Sequence, residues 1–124
     1  MNIVHIPRRF TRQDWGGTET VVLETCKRLL RMGHRTEILC PNALAQNDYE
    51  LIDGVPVRRV SYFYPYWRLR PEAKRQLDKK GGNLFSFALM KALWKYPHLD
   101  LIHLHTMKRL GGIGRYVARR RGIP

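Results

Sequence analysis

Residues 2–41 read NIVHIPRRFTRQDWGGTETVVLETCKRLLRMGHRTEILCP, and this stretch decides the fold class. It opens with a short apolar run, Asn2 to Pro7, of β character. A polar, basic loop follows from Arg8 to Gly16. From Gly17 to Met32 the apolar positions recur at helical spacing. Val22, Cys26, Leu29, Leu30 and Gly33 share one face, while Glu24, Lys27, Arg28 and Arg31 lie elsewhere. Gly33 is a natural stop for this helix. Arg35 to Cys40 is a second β run, closed by Pro41 and Asn42. Strand, turn, helix, glycine and strand within about forty residues make a βαβ unit with parallel strands and a right-handed crossover.

The remaining chain extends that unit. Tyr49–Ile52, the pair Asp53-Gly54 and Val55–Tyr62 read as a hairpin, Asp-Gly being a strong turn signal. Tyr62 to Gly82 reads as irregular, interrupted by Pro65 and Pro71. Asn83 is the expected cap of a helix from Leu84 to Lys95. Leu99–Thr106 reads as a buried strand. Lys108–Arg121 reads as a last helix with Leu110, Ile113, Val117 and Ala118 inward. Gly122-Ile123-Pro124 looks like the lead-in to another strand, so the chain is expected to be the front part of a longer protein. There is no internal repeat and no low-complexity tract.

The chain has 124 residues, enough for one core. At 44% hydrophobic and 27% charged it is an ordinary globular composition, which excludes wholesale disorder. Lys and Arg total 23 against 10 Asp and Glu, a formal charge of +13. Such a surface attracts phosphate, nucleic acid or an anionic membrane. No run reaches the ~20 apolar residues of a membrane span. Met1–Phe10 lacks the form of a signal peptide. Cys26 and Cys40 sit in apolar segments and read as reduced core residues. A cytoplasmic protein is expected, with peripheral contact at the inner membrane face as an open option.

Four constellations carry candidate chemistry. In Trp15-Gly16-Gly17-Thr18-Glu19, paired glycines before a helix let a ligand approach the backbone, and the helix start suits an anion such as phosphate. The same residues also read as a plain turn with Thr18 or Thr20 as cap and Glu19 in the first turn. A third glycine and an acid after the second strand are both missing, which disfavours dinucleotide binding, and no Walker loop is present. In Asp100–Thr106, His103 and His105 share a strand face. His105 and Thr106 lie at the carboxyl end, where open α/β sheets bind ligands. No neighbouring Cys, Asp or Glu completes a metal set, so no metal is expected, and His103 reads first as a hydrogen-bonded core residue. Arg58–Lys80 interleaves aromatics with bases, which fits a solvated loop, single-stranded nucleic acid or a membrane patch. Gly111, Gly112 and Gly114 either loosen the last helix or let it pack closely.

In this order and spacing the pieces resemble the amino-terminal domain of GT-B glycosyltransferases of family 4. The resemblance rests on Ile3–Pro7, on Gly16-Gly17-Thr18-Glu19, on Gly33-His34-Arg35-Thr36-Glu37-Ile38 and on Asp100-Leu101-Ile102-His103-Leu104-His105. It implies an α/β, Rossmann-like, mostly parallel sheet with helices on both faces. Residues 1–124 would be the acceptor-side half of a two-domain enzyme, incomplete at the carboxyl end, with the donor-binding domain outside the chain. It implies retaining transfer of a sugar from a nucleotide-sugar donor to a sugar, lipid-linked or other small acceptor, with no cofactor and no metal. By this carry-over Gly16, Gly17, Thr18, Glu19, His105 and Thr106 bind substrate, and Arg8, Arg9, Arg68 and Arg70 are candidate acceptor or membrane contacts. The family's catalytic-site histidine and its paired glutamates would both fall beyond Pro124, so this segment alone is expected to be inactive. The rival reading is a basic, non-catalytic nucleic-acid-binding domain. No helix-turn-helix, zinc finger or RNP-type aromatic strand supports it.

Overall fold

A computed structural model describes residues 1–124. The elements run β1 (Asn2–Ile6), α1 (Gly17–Arg31), β2 (Arg35–Pro41), β3 (Tyr49–Ile52), β4 (Val55–Val60), α2 (Pro71–Lys80), α3 (Phe87–Trp94), β5 (Leu101–Leu104) and α4 (Lys108–Arg121). One five-stranded sheet has the order β3-β4-β2-β1-β5. β4, β2, β1 and β5 are parallel, and β3 alone runs antiparallel, beside β4. The expected βαβ unit is therefore present, with Asn2 opposite Arg35 and His5 opposite Ile38. Asp53 and Gly54 both have positive φ, 50° and 80°, the two-residue turn that suits a tight hairpin.

Strand alternation sorts the core into two layers. Ile38 and Cys40 of β2 face α1 with Val22, Leu23 and Cys26, together with Phe10, Val55 and Val57. Leu39, between them in sequence, faces the other way, into a larger cluster with Val4, Ile6 and Ile102 beneath α3 and α4. Leu89, Leu93, Leu110, Ile113 and Val117 supply the helix side of that layer. Both cysteines are free and buried, and burial pushes the Cys40 thiol up to about 12. No helix is long and apolar enough to cross a membrane.

Three local expectations are corrected. The segment read as irregular contains the helix α2, which starts with Pro71 at its first turn and ends at Gly81 in the left-handed region. Its polar composition hid it: Asp78 is its buried residue, and Leu77 packs only partly on the core. The cap of the next helix is Ser86, whose Oγ accepts from Leu89 N–H at 3.0 Å. Asn83 instead accepts the Arg109 N–H at 3.1 Å and so ties the turn before α3 to α4. β5 is shorter than the apolar run suggested, Leu101–Leu104, although His105 N–H still donates to Ile6 O at 3.0 Å.

Gly111 and Gly114 of α4 serve close packing. A Cβ on Gly111 would lie 2.6 Å from Thr106 O, a backbone atom. Gly111→Ala therefore forces α4 away from the β5 terminus. Overpacking of this kind costs about 1–3 kcal/mol. Urea denaturation checks this, with Gly112→Ala as the control because its added Cβ meets nothing within 4 Å.

Candidate functional site

The strand order reverses at β1. The chain leaves β1 toward β2 on one side, while β5 flanks it on the other. Open α/β sheets leave a crevice at the carboxyl ends of strands at such a point. Here the loop after β1 and the residues after β5 enclose a hollow of about 340 Å³, lined by Arg8, Arg9, Gly16, Gly17, Thr18, Glu19, His105 and Thr106. No hydrophobic residue contributes to the lining. The structure thus brings all six expected substrate-contact residues to one place, although nearly ninety residues separate the two groups in sequence.

The glycine loop is braced from within. Gly16, not Thr18 or Thr20, is the cap of α1, with extended backbone at φ −142°. The Glu19 carboxylate is buried and accepts the Gly16 N–H at 3.0 Å. Thr20 Oγ1 donates to Gly16 O at 3.2 Å and accepts the Trp15 indole N–H at 2.9 Å. These bonds fix the bend while the first amides of α1 keep no intrahelical acceptor. A Cβ on Gly17 would meet nothing within 4 Å, so the backbone there is open to a ligand.

Arg8 and Arg9 supply positive charge to the hollow. Arg8 Nη2 donates to Asp78 O at 2.7 Å, while its Nη1 is buried without a partner. Arg9 Nη1 is likewise buried without a hydrogen bond, since Asp14 Oδ2 at 3.9 Å is too far for one. Burial, and then the charge of Arg9, lower the Arg8 guanidinium's affinity for its proton. Two unspent N–H groups beside a helix start are the donors an anion needs. Arg59 holds the loop in place from below: it is buried and donates to Phe10 O from Nε at 3.0 Å and from Nη2 at 2.7 Å, and to Asn47 O from Nη1 at 2.9 Å.

The histidines are arranged differently from expectation. His103 is exposed, not a core residue, because β5 is an edge strand that α1 does not cover. The buried histidine is His5, opposite His103 in the β1–β5 register. His5 Nδ1 lies 3.0 Å from His105 Nε2. The expectation of no metal rested on a missing third ligand, and His5 is a third imidazole. Alternation in NIVHIP together with parallel pairing to the His-x-His strand was the signal that could have found it. Burial first, and then the other two rings, hold His5 down at about 4; burial and His103 hold His105 at about 4 as well. His105 therefore presents a neutral imidazole to the hollow at neutral pH.

Arg68 and Arg70 are exposed and do not line the hollow; Arg70 caps α2. Of the aromatics in the aromatic-basic segment only Tyr62 and Tyr64 turn inward, their hydroxyls both donating to Asp78 at 2.7 Å, while Phe63, Tyr66, Trp67 and the bases from Arg68 to Lys80 are exposed. A larger groove, about 670 Å³, lies at the opposite end of the sheet beside Asn2, Arg35, Glu37 and Tyr96. Its acid is already paired, with Arg58 at 2.8 Å and the Tyr96 hydroxyl at 2.7 Å, and it faces the amino ends of β1 and β2. The hollow at the carboxyl ends, where open α/β sheets bind ligands, is the candidate site.

No curated protein matches the chain, and no solved structure does. The model of the glycosyl transferase 4-like domain matches residues 16–124, from the glycine loop to the last residue. That match covers Gly16–Glu19, the residues after β5 and all four helices, but not Arg8 and Arg9, and the chain belongs to the glycosyl transferase 4-like domain family.

Proposed function

We propose that this domain serves a retaining sugar transfer from a nucleotide-sugar donor to a small or lipid-linked acceptor. The observation that carries the reading is the all-polar hollow in which two buried, unpartnered guanidinium N–H groups meet the open start of α1. In such a transfer the bond from the sugar's anomeric carbon to the diphosphate oxygen breaks, and the diphosphate leaves with the electron pair. The acceptor hydroxyl oxygen forms the new bond on the same face, and its proton passes to the departing phosphate. Charge grows on the leaving phosphate. Donors fixed in advance at that position stabilise the transition state more than the ground state.

Each lining group has a part in this. Arg8 and Arg9 meet the phosphate charge, and the Gly17 and Thr18 amides add the helix-start field. Neutral His105 and the Thr106 hydroxyl orient hydroxyls of the sugar or acceptor. The chain supplies phosphate and acceptor positioning, and a second domain supplies the rest of the donor site. The basic surface brings the enzyme to an anionic membrane where lipid-linked acceptors reside, at about 1 kcal/mol per basic residue near it.

Amide NMR spectra of the chain, titrated with a nucleoside diphosphate-sugar, test this. The Gly16, Gly17 and Thr18 signals shift on addition, and no sugar is transferred by the 124-residue chain alone. Unmoved loop signals together with steeply salt-dependent oligonucleotide binding would instead support a nucleic-acid-binding role.

A further inference from the structure

His5, His103 and His105 form a cluster that sugar transfer does not use as a unit. His5 on β1 sits opposite His103 on β5, and His105 follows two residues on, so the three rings leave the same face of the sheet. Ring centroids are 5.1 Å apart for His5 and His103, 5.3 Å for His5 and His105, and 4.1 Å for His103 and His105. One nitrogen from each ring lies within 4.8 Å of the others. Fully buried His5 also has an Nε2 with no hydrogen-bond partner. His5 Nδ1 and His105 Nε2 stand 3.0 Å apart with a third ring alongside, so three imidazoles converge on one point.

We propose that His5, His103 and His105 bind one divalent transition-metal ion of the zinc class, leaving one coordination position open. Tetrahedral zinc with nitrogen ligands at ~2.0–2.1 Å sets those nitrogens about 3.3 Å apart. His5 and His105 already stand at 3.0 Å. His103 is exposed, so its ring is free to swing the remaining distance without disturbing the core. A set made only of imidazoles suits zinc, copper, nickel or cobalt, whereas magnesium and calcium need oxygen ligands and no carboxylate belongs to the cluster. Two histidines two apart on one strand and a third on its neighbour give three ligands from a rigid frame, the number that leaves a fourth position for water or an anion. Because His105 also lines the hollow, an ion here adds positive charge beside the phosphate donors. The site does not depend on the identity of the transferred group.

The test uses the untagged chain, stripped with a chelator and titrated with Co²⁺ and then Zn²⁺. One equivalent of Co²⁺ is taken up, with the intense visible absorption of a four-coordinate ion, and Zn²⁺ displaces it. Loss of an outer-shell partner costs 10–100-fold in metal affinity, so loss of a ligand in His103→Ala weakens binding by at least about a hundredfold. Since His103 is exposed, its far-UV circular dichroism and denaturation midpoint stay at the parent values. His98→Ala, an exposed histidine outside the cluster, binds as the parent does. Uptake that His103→Ala leaves within about twofold of the parent, or absence of a stoichiometric site, overturns the proposal.

Discussion

Arg59→Met lowers the stability of this domain by about 3–5 kcal/mol, the cost typical of removing one partner of a buried ionic network. The Arg59 side chain is 2% exposed and lies on β4, where alternation would place an apolar residue. It earns that position by satisfying three groups: Phe10 O, Asn47 O and Glu50 Oε1, the last at 3.3 Å. Methionine fills the stem volume but leaves the two carbonyls without donors, each an unsatisfied polar group in a dry place. The Glu50 carboxylate would keep Arg12, at 3.5 Å, and the Asn47 side chain, but lose its buried cation. Partial burial works against ionising Glu50, yet the hydrogen bond and charge of Arg59 outweigh it and hold its carboxyl below the ordinary range. A depressed folded-state value means that stability is fully present above the ordinary carboxyl pKa and is lost as pH falls from there through the lower folded-state value. The gap between parent and variant therefore narrows in acid. Arg58→Met is the comparison: its neighbour on the same strand pairs with Glu37 at 2.8 Å but is 40% exposed, and such pairs contribute about 1 kcal/mol or less. Equal denaturant midpoints for the two variants would show that Arg59 is not the anchor of the glycine loop.

The sequence revealed the frame of the molecule more readily than its interior contacts. The βαβ unit and the hairpin were legible because apolar periodicity and turn residues agree there: Val22 and Cys26 recur at helical spacing, and Asp53-Gly54 punctuates two β runs. The two loops of the hollow were legible because parallel sheets gather strand ends regardless of sequence distance. What escaped were polar residues whose partners are set only by the tertiary fold. Asp78 makes α2 a structural helix through two tyrosine hydroxyls far from it in sequence, and a strongly basic segment gives no hint of that. Arg8 and Arg9 looked like surface charge; each is half-buried with one guanidinium nitrogen out of water, Arg8 against Asp78 O and Arg9 beside Asp14. His5 looked like one polar residue in an apolar strand, and only the β1–β5 register shows what it meets. In each case a side chain's chemistry was visible, but its neighbour was not.

That distinction separates the proposed phosphate site from mere basicity, and it governs the second large effect. Arg8→Met/Arg9→Met lowers the affinity of the chain for inorganic pyrophosphate by at least about a hundredfold, because a hydrogen bond to a charged group contributes about 1.5–3 kcal/mol and two such donors are lost. The two sites are adjacent and share the hollow, so their effects are not expected to add fully. Arg9→Met is the cleaner single variant, since Arg8 also donates to Asp78 O and its loss loosens α2. Arg68→Met/Arg70→Met removes the same formal charge from exposed positions away from the hollow. At a fixed, physiological ionic strength those charges are screened within about 8 Å, and that pair changes the affinity by less than about twofold. Calorimetric titration of both double variants at equal salt decides the matter. A net charge of +13 predicts the same loss from either pair, whereas paired guanidinium donors at a helix start predict a loss from only one.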